Sequence, residues 1–319
     1  FRAATRPRAS LLVMCLVALP ACRSDSATDP AGTPDALTSQ LAPTAGARPL
    51  AGVEQSPDST ASLPPIDYDK QLGKDAEAEI LANPAEYPIL PREEQAQLYA
   101  YLDGILARIL GSGEVVYAEA FDWTLHVIDD RATPNAFAMP GGYLYVYTGL
   151  IEYLDSEAEL AGVLAHEVAH ADRRHSVQQM SAEAGPGPGP FQRRRGRRGP
   201  PVLGKLRSLK HSRLHEAEAD EYSVRYVCAT HYHTPSITGF FERMGDEGGR
   251  QRPEFLSTHP HDQNRVAAMN AQIATSGCQG TVQNVAEHQA IEARLPESPP
   301  AASPVPERPR RRLPPRRNP

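Results

Sequence analysis

Apolar and polar positions along the chain change period in a readable order. In the run 92–110, Ile105, Leu106 and Ile109 share one face at helical spacing, and a shorter helix is predicted before it at 75–81. Residues 123–128 and 143–147 alternate as half-buried strands do. Leu160, Val163, Leu164 and Val168 then mark the buried stripe of a further helix. Ser156 and Glu159 form an S-x-x-E capping signal at its start, and Arg173, Arg174 and His175 complement its negative end. Further helices are expected through residue 274, one of them carrying Glu216 and Asp220 on a single face. Helices dominate, so the expected class is α+β, mostly helical with a small β-sheet.

The flanks have a different composition. Residues 22–65 are rich in Pro, Ala, Ser and Thr and predict a disordered tether, and 281–319 predict a largely disordered Pro/Arg-rich tail. Between them, 66–280 is long enough to bury a core. A Gly/Pro/Arg-rich stretch at 185–201, with Arg193, Arg194 and Arg195 in it, reads as an insert. No internal repeat is visible.

The first residues bear on location. Arg2, Arg6 and Arg8 precede an apolar run at 11–19 that is too short to span a bilayer. Leu19-Pro20-Ala21-Cys22 resembles a bacterial lipobox, so residues 1–21 are expected to be a lipoprotein signal peptide and Cys22 the lipidated residue. An ordinary secretory signal is the alternative. Arg23 after the cysteine, by resemblance to bacterial lipoprotein sorting, favours the outer membrane, with the lipid anchor as the membrane contact. Cys228 and Cys278 remain outside the export region; an oxidising periplasm permits a disulfide between them, and two separate buried thiols are the alternative. The net charge of −6 argues against nucleic-acid partners; the arginine runs of the insert and tail read as solvated segments, with contact to an anionic surface such as lipid head groups as the alternative.

The chemistry centres on His166-Glu167-Val168-Ala169-His170. Residues four apart in a helix lie on one face, so both imidazoles can aim at one zinc ion with Glu167 beside them to polarise its water. A bare match also fits two surface histidines flanking an acid; a third ligand from another element decides between the two. Glu216-Ala217-Glu218-Ala219-Asp220 offers one: Glu216 as ligand, and Asp220 to fix the tautomer of a ligand histidine.

These motifs together resemble the HtpX/BepA-like zinc metalloproteases, peptidase family forty-eight, and the soluble periplasmic members more than the membrane-spanning ones. Residues 134–150, from Pro134-Asn135-Ala136 through Tyr147-Thr148-Gly149-Leu150, resemble that family's strand before the active-site helix. Ser257-Thr258-His259-Pro260, with Arg265 downstream, resembles its S-T-H-P segment, and Ser212-Arg213 its Ser-Arg pair. The resemblance implies a zincin-like domain with the sheet beside the active-site helix, and one zinc ion (Zn2+) per chain held by His166, His170 and Glu216. It makes Glu167 the base and puts Asp220 and Arg265 behind the ligands. His259, Arg265 or a tyrosine are candidate oxyanion donors. The strand near Asn135 and Ala136 would pair with an extended peptide through its main chain. Such pairing reads little sequence, which suits unfolded or misassembled cell-envelope proteins as substrates. His259, expected over the cleft, has two uses that stay open: donating to the oxyanion, or occupying zinc's fourth position and holding the enzyme latent.

Two rival readings follow. A catalytically idle lipoprotein that chaperones or binds envelope proteins would have no need of Glu167, and a structural zinc site would prefer a fourth protein ligand. The histidines at 126, 175, 211, 215, 231 and 233 are expected to be surface or capping residues.

Overall fold

A computed structural model of the chain describes residues 63–184, 201–209, 211–246, 255, 259 and 263–296. The expected signal peptide, Cys22, the expected tether as far as residue 62, nearly all of the insert at 185–201 and the chain past 296 lie outside the described residues.

Helix α1 (Asp67–Leu81) begins earlier than predicted. Asp67 and Asp69 occupy its first turn, where carboxylates suit the positive end, and Leu72, Ala76 and Ile80 bury at every fourth position. Helix α2 (Ala96–Leu110) begins later than predicted. Residues 91–95 form a turn instead, closed by Gln95 N–H to Pro91 O, and Arg92 reaches out to Asp103 and to the Leu125 carbonyl.

The sheet has three strands: β1 (Thr124–Ile128), β2 (Ala136–Met139) and β3 (Tyr143–Tyr147), in the order β1-β3-β2. β1 runs parallel to β3, and β2 pairs antiparallel with it, Ala136 opposite Val146. The β2–β3 turn needs glycine. Gly141 has φ of 82°, and a Cβ there would stand 2.9 Å from the Asp69 carbonyl oxygen. β2 is an edge strand of this sheet.

After α3 (Thr148–Tyr153) comes α4 (Glu157–Asp172), which carries both histidines of the motif. Ser156 caps it, its hydroxyl accepting from Glu159 N–H, while the Glu159 carboxylate accepts from Asp155 N–H rather than from the cap residue. The sequence predicted one buried stripe, yet every residue of α4 is buried. The reason is position: α2, α7 (Arg213–Cys228), α8 (Ser236–Asp246) and β2 surround it. Its small residues allow that closeness, and a Cβ on Gly162 would lie 2.9 Å from the Ile237 Cα on α8. A second apolar cluster joins α1 to the sheet and to α6 (Val202–Ser208) through Ile80, Tyr145, Leu203 and Leu206. Helix α5 (His175–Ala184) follows α4 directly.

The folded unit does not stop at Gly280 as expected. After α9 (Gln263–Ser276), the chain continues into α10 (Val285–Glu292) and reaches Pro296. His288 on α10 is fully buried, with Nδ1 2.8 Å from the Tyr101 hydroxyl and Nε2 2.9 Å from the Ile151 carbonyl. Arg131 holds the Leu295 and Pro296 carbonyls. No helix among the described residues is long and apolar enough to cross a membrane.

Cys228, at the end of α7, is joined to Cys278 beyond α9 by a disulfide across a sequence separation of 50 residues. Closing a loop of that length restricts the unfolded chain by about 4 kcal/mol in the entropy model. Reduction is therefore expected to lower the thermal midpoint by about ten degrees. Denatured, unreduced protein should show neither thiol free; two reactive thiols there would remove the bond from the account.

Candidate metal centre

Helices α4 and α7 pack side by side and put their charged faces together. His166, Glu167 and His170 come from α4, Glu216 and Asp220 from α7, and all five are buried. Ser212 fixes where α7 begins, its hydroxyl accepting from His215 N–H at 3.1 Å. Glu216 therefore sits in the first turn.

His166, His170, Glu216 and His259 each offer one donor atom, and these lie within 4.8 Å of one another. Nε2 of His166 and Nε2 of His170 are 3.0 Å apart, and each is 3.5 Å from a Glu216 oxygen. Nδ1 of His259 is 3.4 Å from His166 Nε2 and 3.2 Å from Glu216 Oε1. Ligand atoms about 2.0–2.1 Å from a tetrahedral ion stand about 3.3 Å from one another. The donor set, three imidazole nitrogens and a carboxylate in a buried cluster, fits a zinc-like cation. His259 falls in the position that a catalytic site leaves to water, and its ring stacks on Phe255 at 4.4 Å.

The electrostatics agree with a cation site. Burial disfavours charge on His166, but Asp220 and Glu216 outweigh it and push its pKa up to about 9. Carboxylates that attract a proton here attract a metal for the same reason. Burial alone would raise Glu216; the facing His259 and His166 instead hold it well below the usual carboxylate range. Burial, with neighbouring imidazoles, holds His170 neutral, the form in which imidazole ligates. Burial raises Glu167, which stands outside the donor set and 3.4 Å from Nε2 of His259.

Behind the donors, Asp220 Oδ1 lies 3.1 Å from His166 Nδ1. Arg265 grips Asp220 with Nε and Nη2 at 2.7 and 2.8 Å, and Glu216 with Nη1 at 2.9 Å. Each of its three nitrogens contacts one of those two carboxylates, which makes Arg265 a clamp on Glu216 and Asp220.

A cavity of about 130 Å3 opens between β2 and α6, lined by Asn135, Phe137 and Met139 on one side and Leu206 and Leu209 on the other. Glu167 and His259 also line it. Asn135 thus faces the cleft, whereas the Ala136 side chain is fully buried in the core. Any contact Ala136 offers a peptide is through its main chain. β2 has no strand partner beyond β3 among the described residues.

Several histidines depart from the expectation of surface or capping roles. His175 is fully buried with Nδ1 2.9 Å from His170 Nδ1. The His211 ring centroid is 4.0 Å from that of His170, and His215 stacks on His175 at 4.6 Å. Spacing gave no warning, because five residues past His170 is off the helical face. His126, paired with Glu77 at 2.8 Å, and His233, bonded to Ser236, keep the plain role.

The family profile for Peptidase family M48 matches residues 96–273, more than half of the sequence and the stretch that builds this centre. The chain belongs to Peptidase family M48. Among its relatives, the mitochondrial metalloendopeptidase OMA1 of Schizosaccharomyces pombe is 30% identical over 208 residues, covering 63% of this chain and 60% of the relative. The putative beta-barrel assembly-enhancing protease of Vibrio cholerae is 28% identical over 186 residues, 53% of this chain and 38% of the relative. The beta-barrel assembly-enhancing protease of Escherichia coli K12 is 27% identical over 150 residues, 42% of this chain and 31% of the relative. The chain thus covers less than two thirds of the length of each.

Proposed function

We propose that this M48 chain is a zinc-dependent endopeptidase that cleaves unfolded or misassembled proteins of a bacterial cell envelope. The observation that carries the reading is the buried four-donor cluster with the Glu167 carboxylate beside it on the same helix. A zinc ion held by His166, His170 and Glu216 would supply an activated water and a polarised scissile carbonyl. Glu167 then has a defined task. Its carboxylate takes the proton of the attacking water and returns it to the leaving amine nitrogen. The raised proton affinity that burial gives it suits a group that must both accept and release. The β2 edge aligns an extended peptide along the cleft by main-chain pairing.

Metalloendopeptidase and beta-barrel assembly-enhancing protease, the names of the relatives, support proteolysis, and the latter supports an envelope role. The lipobox at Cys22 and Arg23 after it support an outer-membrane lipoprotein facing the periplasm. One observation favours the idle binding module instead: four protein donors make a closed set, as structural sites have.

Metal removal separates the two. Cleavage of casein should fall at least about a hundredfold on chelation and return when one equivalent of zinc is restored. Casein cleavage that persists without metal would overturn the endopeptidase reading, and a zinc-loaded chain that never cleaves would leave the binding module.

A further inference from the structure

Glu218, the middle acid of the α7 motif, and the buried His175 have no part in the donor cluster. We propose that they are positioning residues for the metal ligand His170. This inference rests on the metalloprotease reading above.

The proton inventory carries it. His170 turns Nε2 toward His166 and Glu216. An imidazole that ligates through Nε2 keeps its N–H on Nδ1 and needs an acceptor there. The atom facing it, at 2.9 Å, is Nδ1 of His175. Of two ring nitrogens that close, one donates and one accepts, so His175 Nδ1 accepts and its own proton sits on Nε2. That nitrogen is 3.3 Å from Glu218 Oε2, whose other oxygen accepts from Arg173 Nε at 2.7 Å. A single consistent set of protons runs from His170 through His175 to Glu218.

The two ligand histidines of α4 are thus oriented by different means. His166 meets the Asp220 carboxylate directly, at 3.1 Å. His170 meets a carboxylate through an interposed imidazole. His175 is fully buried whereas the Glu218 side chain is 33% exposed, so the second arm connects the centre to a charge at the protein surface.

The backbone is built for this contact. Arg174, between α4 and α5, has φ of 62°, a left-handed conformation that a residue with a Cβ adopts at a cost. Its guanidinium is held by Asp69 and by the Pro64 carbonyl, each at 2.6 Å. The kink ends α4 and starts α5 with His175 turned back onto His170, and His215 stacks on its other side.

Partners that fix the tautomer and raise the basicity of a ligand histidine carry roughly ten- to a hundredfold of metal affinity. Metal-free chain titrated with cobalt(II), read by its d–d absorption and by competition with a chelating indicator, tests this without recourse to activity. His175→Leu should bind cobalt about a hundredfold more weakly than wild type. His175→Asn, whose amide oxygen can accept the His170 proton, should recover to within about tenfold of wild type. Glu218→Gln should lose about tenfold and shift the absorption band, with the thermal midpoint of the metal-free protein unchanged. A merely structural role would move the midpoint and leave the spectrum alone. Wild-type affinity in Glu218→Gln, or an Asn variant no better than Leu, overturns the proposal. If His175→Leu does not fold, Glu218→Gln decides alone. A wild-type chain that takes up no cobalt overturns the metalloprotease reading along with it, whereas normal uptake in every variant overturns the positioning role only.

Discussion

Glu167→Gln is expected to retain about one metal ion per chain and to lose peptide-bond cleavage by about a thousandfold or more. The carboxylate stands outside the donor cluster, so the metal has no call on it. Glutamine keeps the shape and an acceptor oxygen for the buried surroundings, but it cannot take up the water's proton. Glu216→Ala should behave oppositely. It deletes one of four donors and strands the Arg265 Nη1 that now lies 2.9 Å from Glu216 Oε2. Metal and activity should both go; Arg265 keeps its two bonds to Asp220, so the stability cost should be that of one buried charged donor losing its acceptor, about 1–3 kcal/mol. Metal content after gel filtration, casein turnover and thermal midpoints on the three proteins decide the matter. A Glu216→Ala chain with full metal would remove Glu216 from the ligand set, and undiminished cleavage by Glu167→Gln would remove the base.

What could be read in the sequence is what regular helical geometry encodes. His166 with His170 and Glu216 with Asp220 are four apart, and a helix turns that spacing into a shared face whatever surrounds it. The α4 cap was legible for the same local reason: Ser156 and Glu159 act within one turn. Long-range contacts were not. His175 joins His170 only because Arg174 leaves the helical conformation, and what holds Arg174 there is Asp69, far away on α1. Arg265 is placed behind the ligands by the family resemblance alone; helical spacing reads it as one more cation until α9 lies against α7, where it meets two carboxylates at once. The sequence places the end of the domain too early because α10 is short and its anchor, His288, is polar. Its partners, Tyr101 and the Ile151 carbonyl, come from α2 and α3.

His259→Ala is expected to raise turnover, by about ten- to a hundredfold at equal metal loading. The sequence leaves His259 with two uses, oxyanion donor or occupant of the fourth position, and the geometry favours the second. Nδ1 lies among the donors of His166 and Glu216, and Nε2 lies 3.4 Å from Glu167 Oε1. A ring set between the base and the metal ligands stands where the attacking water must go. Its burial and its stack on Phe255 favour that position, so a competent chain must first move it out. If only about 1–10% of molecules have done so, removing the ring restores about ten- to a hundredfold. An endopeptidase that reads main chain has need of such restraint, and its loss should also appear as self-cleavage. The double variant Glu167→Gln with His259→Ala should not self-cleave, which excludes a contaminating protease. Slower casein turnover by His259→Ala, by about a hundredfold, would make the ring an oxyanion donor that swings in with substrate. An unchanged rate would leave it a packing residue beside Phe255 with no part in catalysis or its control.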